Sequence, residues 1–408
     1  MEQVSSLKTG VKYKDTPIGK IPVDWEVVRL GDVCDVIGGS TPSTKNNEYW
    51  GGEIPFATPT DITSLQGREI SDTKQSITQE GLSSCGARLL PVGSVLLTSR
   101  ATLGACAINT KPMATNQGFA SLVCNEMAYN WFIYYKMIAL QQELDRLGSG
   151  STFKEVSKSS IRSLNFSLPP LPEQKQIADI LTTVDEVIEK TSWVIEKTKE
   201  LKKGLMQSLL TGGIEHNKFK KTEIGEIPEV WTTIKLNDVV KLSSGKPRPK
   251  DFIPEYGRDS IYPIYGGNGI LGYSSKFNFE NKTIILGRVG EYCGVVHRND
   301  GKCWISDNAL YIKELKYSFF DLQFLALSLE YKDLNKYKSQ SGQPLISQRV
   351  LYNLELALPP IDEQKKISAI ISEITNMLEN EQSHKAELEQ IKKGLMQVLL
   401  TGKLRVAL

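Results

Sequence analysis

The chain has 408 residues, 49 basic and 47 acidic side chains, a formal net charge of +2 and 40% hydrophobic content. This is the composition of a soluble globular protein with room for two or three domains. Its apolar runs fall short of a membrane span and MEQVSSLKTG lacks the layout of a signal peptide, so a cytoplasmic location is expected. So even a balance neither demands nor excludes nucleic acid. A DNA partner would need basic residues gathered on one face, or further subunits sharing the phosphate contacts.

Cysteines 34, 85, 106, 124, 293 and 303 form no Cys-x-x-Cys pair, and His216, His297 and His384 are scattered. Zinc needs clustered ligands, so no metal site is expected, and the thiols read as buried and reduced.

In chain order, the first distinctive stretch is IGKIPVDW at 18–25. The loop GGSTPSTKNNEYWGG (38–52) follows, mixing Ser, Thr, Lys and Asn with aromatics. SVLLTSR (94–100) and FASLVC (119–124) read as short strands, and 129–147 as helical. LPPLPEQKQIADIL (168–181) opens a segment that runs from Pro172 to Gly204 without glycine or proline, then leaves through KKGLMQSLLTG (202–212). Proline suits a first helical turn, where its missing N–H is not needed.

The frame then repeats. IGEIPEVW stands at 224–231, LPPIDEQKKISAII at 358–371 and KKGLMQVLLTG at 392–402, the last two offset by 190 residues from their first copies. Between them lie SSGKPRPKDF (243–252), YGGNGILGY (265–273), the strand-like NKTIILGR (281–288), CGVVHR (293–298) and ALYIKEL (309–315), and a helical stretch at 318–337. Two similar frames thus carry two different contents, which identifies an internal repeat.

Both Pro-Pro helices bear an apolar stripe: Ile177, Leu181, Val184, Ile188, Ile195, Leu201 and Leu205 in the first, and Ile367, Ile371, Ile374, Leu378, Leu388, Ile391, Leu395 and Leu399 in the second. Polar residues interrupt it at Thr191, Thr198, Glu381 and Lys385, the last two expected to pair across the helices. A helix of about 36 residues is ~54 Å long at ~1.5 Å per residue, and a bare stripe of that length would be costly in water. The expected mate is the other copy, in an antiparallel coiled coil with pseudo-two-fold symmetry; two helices each packed on its own domain is the plain alternative. The expected fold is α+β: two globular domains with curved β-sheets, separated by those helices. The boundaries are 1–168, the first helix at 169–215, the second domain at 216–358 and the second helix at 359–408.

In each variable domain an arginine follows a strand (Arg100, Arg288), and a turn with an amide comes later (Asn116 and Gln117; Asn308). Arginine grips guanine or phosphate through two hydrogen bonds, and Asn or Gln does the same to adenine. A structural arginine beside turn-capping amides is the alternative. Lys246, Arg248 and Lys250 alternate along one loop, and Asn268 sits in a glycine-rich turn. A short basic run is ordinarily a solvated face, but at the edge of a domain without other chemistry it points to DNA phosphates. Ser43, Lys45, Asn46, Thr60, Ser99 and Gln343 complete the DNA-contact candidates. Leu205, Met206, Leu395 and Met396 are candidates for seam packing or for subunit contact.

Catalytic signatures are missing. The chain has no Gly-x-x-x-x-Gly-Lys-[Ser/Thr] loop, no Asn-Pro-Pro-Tyr or Asp-Pro-Pro-Tyr motif of an amino-methyltransferase, and no histidine beside a plausible nucleophile. No catalytic residue and no metal ligand is therefore assigned.

The doubled LPP-x-x-EQK entrance, the doubled KKGLMQ-x-LLTG exit, STPSTKNNEYWGG-x-IPF-x-TPTD and TNQGF resemble the specificity subunit of type I restriction–modification systems, over essentially the whole chain. The resemblance implies two target-recognition domains, each reading one half of a split sequence in double-stranded DNA, with the helices as spacer. It implies docking of modification subunits, two of them, that carry S-adenosylmethionine and methylate adenine. Restriction subunits using ATP and magnesium would translocate and cleave DNA. This chain would hold no cofactor. Two rival readings are a self-sufficient DNA methyltransferase or nuclease with an unfamiliar site, and a coiled-coil scaffold that binds proteins.

Overall fold

The duplicated stretches adopt the same local structure in both halves. The computed structural model describes residues 12–149, 154–317, 319–339 and 344–406. The chain divides into two compact units, Met1–Trp193 with Gln382–Leu408, and Val194–Glu381. Two long helices, Leu171–Gly212 of 42 residues and Ile361–Leu399 of 39, each contribute to both units.

In the first unit, a five-stranded sheet runs in the order Cys34–Gly38, Ala120–Cys124, Val95–Leu97, Cys106–Asn109, Glu69–Ile70. A three-stranded sheet orders Ala114–Thr115, Trp50–Ala57, Gln75–Ile77, with a bulge between Trp50 and Ile54 that bends the central strand. The expected helix at 129–147 is two, Asn130–Ala139 and Gln141–Leu147, meeting at Leu140. Phe132, Ile133, Tyr135 and Met137 bury its inner side in the main core.

The second unit repeats the plan. Its four-stranded sheet is Val240–Ser244, Ala309–Leu315, Thr283–Gly287, Val296–Asn299, and its three-stranded sheet is Gly269–Ser274, Tyr262–Gly266, Trp304–Ile305. The second helical stretch is Leu322–Tyr331 followed by a 3-10 turn, Leu334–Tyr337.

The partner of each repeated motif is another repeated motif, which explains why they recur together. In the first unit, Trp25 is fully buried and its indole donates to Glu173 at 2.9 Å. Arg405 donates to both Glu173 oxygens, at 2.5 and 2.7 Å, and to Asp24. The Gln174 amide ties the helix start to the chain at Tyr129, Met127 and Pro169. In the second unit Trp231 donates to Glu363 at 2.9 Å, the Ile214 N–H and the His216 ring meet the same carboxylate, and Gln364 ties Asp321, Phe319 and Pro359. The Trp of IP-x-x-W and the Glu-Gln of LPP-x-x-EQ are thus a buried donor and its acceptors, as buried polar groups require.

Within each unit the helix segments run antiparallel. In the first, Ile177 and Leu181 share a core with Leu399 and Leu400, Glu173 meets Arg405, and further on Asp185 meets Lys392 at 2.7 Å. In the second, Met206 and Leu210 share a core with Ile367 and Ile371, and Ile214 meets Glu363. Two expected seam residues face outward, Leu201 at 51% and Ile391 at 53% exposure. The following lysine in each copy is the less exposed residue at that turn, and its ammonium finds a carboxylate: Lys202 with Glu330, Lys392 with Asp185. Lys385 does not pair across the helices; it meets Glu389 one turn along its own helix, a neighbour on the same face.

The six cysteines are free; Cys34, Cys293 and Cys303 are buried, whereas Cys85, Cys106 and Cys124, expected to be buried, are only partly so. No helix among the described residues is long and apolar enough to cross a membrane.

Candidate nucleic-acid interface

In the first unit, Gly38 ends an edge-side strand and releases the 39–49 loop over the end of the three-stranded sheet. Only glycine fits at 39, because a Cβ there would sit 2.0 Å from the Asn116 carbonyl oxygen. That close approach lets the Thr41 hydroxyl donate to Gln117 at 2.5 Å. Ser43 accepts from the Trp50 indole, and Asn46 caps the turn Asn47–Tyr49 through the Glu48 N–H. The result is an open pocket of about 410 Å³ with Trp50 and Phe56 as its apolar wall and Thr41, Asn47, Gln75, Asn116 and Gln117 as polar groups. Among the described residues no charged side chain lines it. Such a pocket suits the edge or face of a base rather than a phosphate.

Of the residues singled out from the sequence, Asn116 and Gln117 line this pocket, and the loop carrying Ser43 and Asn46 shapes it. Lys45 is exposed on the same loop, and Thr60 is exposed on the short helix Pro59–Thr63 beside it. Ser99 is buried, with its hydroxyl directed at the Gly118 carbonyl. Arg100 points elsewhere, to an exposed ion pair with Glu155 at 3.8 Å. Asn47, Trp50 and Gln75 are not among the candidates the sequence marks. The first two lay inside the quoted loop, but Gln75 is joined to it only by strand pairing, which no local pattern reveals.

In the second unit, Lys246 pairs with the strand end at Ser306, through its own N–H to the Ile305 carbonyl. Arg288 closes the strand Thr283–Gly287, with Nη1 3.2 Å from the Ser244 hydroxyl. Asn268 is exposed at the tip of a tight hairpin whose Gly267 lies against the Asn308 carbonyl. Arg248 and Lys250 are not drawn into this group. They ride an outer loop where Arg248 stacks on Phe252 at 4.4 Å, and Asp251 is fixed by hydrogen bonds from Ser275 and Ser274 that hold its carboxyl down at about 2. Gln343 lies outside the described residues.

The two sites occupy equivalent places on one backbone plan. The Asn116 N–H donates to the Ala57 carbonyl and the Ser306 N–H to that of Tyr265; Gly39 and Gly245 both press on the following strand end, where only glycine fits. The Ser99 N–H donates to Gly118 and its carbonyl accepts from Val156; the Arg288 N–H donates to Asn308 and its carbonyl accepts from Ile346. This register corrects the pairing expected from the sequence. Arg288 corresponds to Ser99, and Arg100 corresponds to Val289, since each makes the next bridge, to Glu155 and to Leu345. Asn308 likewise corresponds to Gly118 rather than to the amides before it. Different side chains stand at matching positions: Ser40 and Lys246, Asn116 and Ser306, Gln117 and Asp307, Ser99 and Arg288.

Leu395 and Met396 are half-buried against the first unit's core, Met206 is buried in the second's and Leu205 is half-buried. The outward faces of the helices carry other apolar residues. Ile180, Val187, Val194 and Leu201 recur every seventh residue on the first helix, and Ile370, Met377 and Ile391 do so on the second, with the exposed His384 in the same series. All are at least one-third exposed. Among the described residues no group of three or more His, Cys, Asp or Glu side chains is placed to hold a metal ion.

Known proteins share this organisation. The family model described as the type I restriction modification DNA specificity domain matches residues 22–197 and again 228–390. The type I restriction enzyme MjaIX specificity subunit of Methanocaldococcus jannaschii is 28% identical over 428 residues, covering 97% of each chain. The EcoprrI specificity subunit of Escherichia coli is 27% identical over 381 residues, covering 90% of this chain and 91% of that one. The crystal structure of the type I restriction–modification S subunit from M. genitalium superposes with a TM-score of 0.66 at 16% identity, covering 96% of this chain and 99% of that one. With two copies of the family's domain filling most of its length, the chain belongs to the type I restriction–modification DNA specificity family.

Proposed function

We propose that this chain is the DNA-recognition subunit of a type I restriction–modification enzyme, with each variable domain reading one half of a split target in double-stranded DNA. The observation that carries this reading is the pair of equivalent sites built on one backbone plan with different side chains, since a chain that reads two unlike half-sites needs that arrangement. The pocket beside Trp50 and the group around Arg288 contact bases, while Lys45, Lys246, Arg248 and Lys250 meet phosphates. Arg100, held by Glu155, serves as a phosphate contact at most.

The chemistry resides in partners. Two modification subunits carry S-adenosylmethionine, and restriction subunits supply ATP- and magnesium-dependent translocation and cleavage in the cytoplasm. The seven-residue apolar stripes on the outward helix faces fit a helical partner, which buries such a surface by coiled-coil packing. Leu205, Met206, Leu395 and Met396 then act chiefly as seam residues.

The test uses the full chain with labelled S-adenosylmethionine and DNA, alone and with modification subunits. Methyl transfer to adenine at a split sequence only when the subunits are present is the expected result. Transfer by the chain alone would favour a self-sufficient methyltransferase. Weak, salt-insensitive binding to all DNA in the complex would favour a protein-binding scaffold.

A further inference from the structure

Two arginines of this chain are matched by carboxylates and a third by a backbone carbonyl, whereas Arg288 and Arg298 each leave a buried donor without a partner among the described residues. Arg68 bonds Glu189, Arg405 bonds Glu173 and Asp24, and Arg162 reaches the Val36 carbonyl. Arg288 differs. It is half-buried, and among the described residues its guanidinium has one acceptor, the Ser244 hydroxyl, and no ion pair. Its Nε is buried without a partner, and so is the hydroxyl of Ser306, which stands beside the same 244–246 segment.

A guanidinium is costly to withdraw from water unless carboxylates or carbonyls replace the lost bonds. Arg288 therefore holds an unneutralised charge and unused outer donors for an acceptor that arrives from outside. The neighbours narrow what that acceptor is. Asn308 and the Gly267–Asn268 turn bring neutral hydrogen-bonding groups to the same end of the sheet, with Lys246 and Asp307 exposed at its rim, whereas Arg248 and Lys250 stand exposed on the outer loop, where a phosphate backbone is met without a recess. A recessed planar fork with neutral amides beside it matches a base edge. Among the bases, guanine presents the two adjacent major-groove acceptors that such a fork fits. The equivalent position in the first domain is Ser99, which is buried, uncharged and bonded to the backbone, so this readout belongs to one domain only.

We propose that Arg288 determines specificity in the second half-site by donating to O6 and N7 of a guanine. The inference rests on the reading of the chain as a DNA-specificity subunit and names a base within it. The test takes the complex with modification subunits, native or carrying Arg288→Ala or Arg288→Lys. It measures methylation rates on the target and on duplexes with each base pair of the second half-site replaced in turn. Arg288→Lys keeps the charge and most of the volume, so it carries the test if the alanine variant fails to fold. The expected result is that both variants lose about tenfold to a hundredfold of the discrimination at one G·C pair and keep it at the others and in the first half-site. Weakening of all duplexes alike, with lysine restoring the rate, identifies a phosphate contact and overturns the proposal. Unchanged discrimination at every guanine, or a second half-site without a G·C pair, also overturns it. A native complex that methylates no split sequence would bring down the functional reading itself, a distinguishable failure.

Discussion

Removing the Glu173 carboxylate tests how the repeated motifs hold each unit together. Glu173 has no exposed surface, Arg405 retains 11% of its side chain's, and two hydrogen bonds join them at 2.5 and 2.7 Å while the Trp25 indole takes 2.9 Å on the same carboxylate. Solvent screening is therefore slight on the Glu173 side. Glu173→Ala would leave a buried indole N–H unsatisfied, at about 1–3 kcal/mol. It would also leave Arg405 with only the half-exposed Asp24, and breaking a buried pair costs about 3–5 kcal/mol in all. Replacing both partners by apolar residues removes the uncompensated charge, so Glu173→Met with Arg405→Met should cost less than Glu173→Ala alone, and the cycle should show a coupling of roughly 2 kcal/mol or more. Native-state hydrogen exchange of the peptides covering 171–185 and 395–406 reads this within the first unit without requiring the whole chain to unfold in one step. Additive single effects, each below about 0.5 kcal/mol, would refute the argument that the motifs recur because they bind each other.

Three further outcomes are expected. Lys136 is buried against the Leu400 carbonyl and the Ser167 hydroxyl with no carboxylate partner among the described residues, and burial pushes its ammonium down to about 8. The unfolded chain then holds a proton at this site that the folded one lacks between pH ~8 and ~10.4, so Lys136 contributes a rise of up to ~1.4 kcal/mol per pH unit across that window. The thiols and phenols of the same unit, whose pKa values burial raises, oppose it, and the contribution is therefore read as the difference from a variant without the ammonium. In Lys136→Met the rise should vanish, and an unchanged slope would refute the assignment. Leu201→Glu with Ile391→Glu should leave the melting temperature within a few degrees, because both side chains are about half exposed. It should weaken association with modification subunits at least tenfold by light scattering or calorimetry, and undiminished association would clear the outward stripe of that role. Trp50→Ala should reduce discrimination in the half-site read by the first domain alone; a loss confined to the second would misplace the pocket.

The frame was legible in the sequence because it is written twice. Glycine- and proline-free helices, their entrances and the short strands all follow from residue patterns within a single stretch. What the patterns could not supply is which distant stretch pairs with which. Matching Arg100 to Arg288 by residue type slipped the register by one, because backbone hydrogen bonds to Gly118 and Asn308 set the correspondence, and no side-chain identity marks them. Apolarity alone puts Leu201 and Ile391 on the seam, and no local pattern marks the lysines beside them as the residues that turn inward to a carboxylate. Gln75 entered the candidate site from a strand that only sheet pairing brings near.

The most direct measurement exchanges residues 26–167 for the corresponding segment of a relative with a different target, reconstitutes the complex with modification subunits, and maps methylated adenines. A change confined to one half of the recognised sequence, with the other half intact, is what two independent readers require. Alteration of both halves, or of neither, would contradict them.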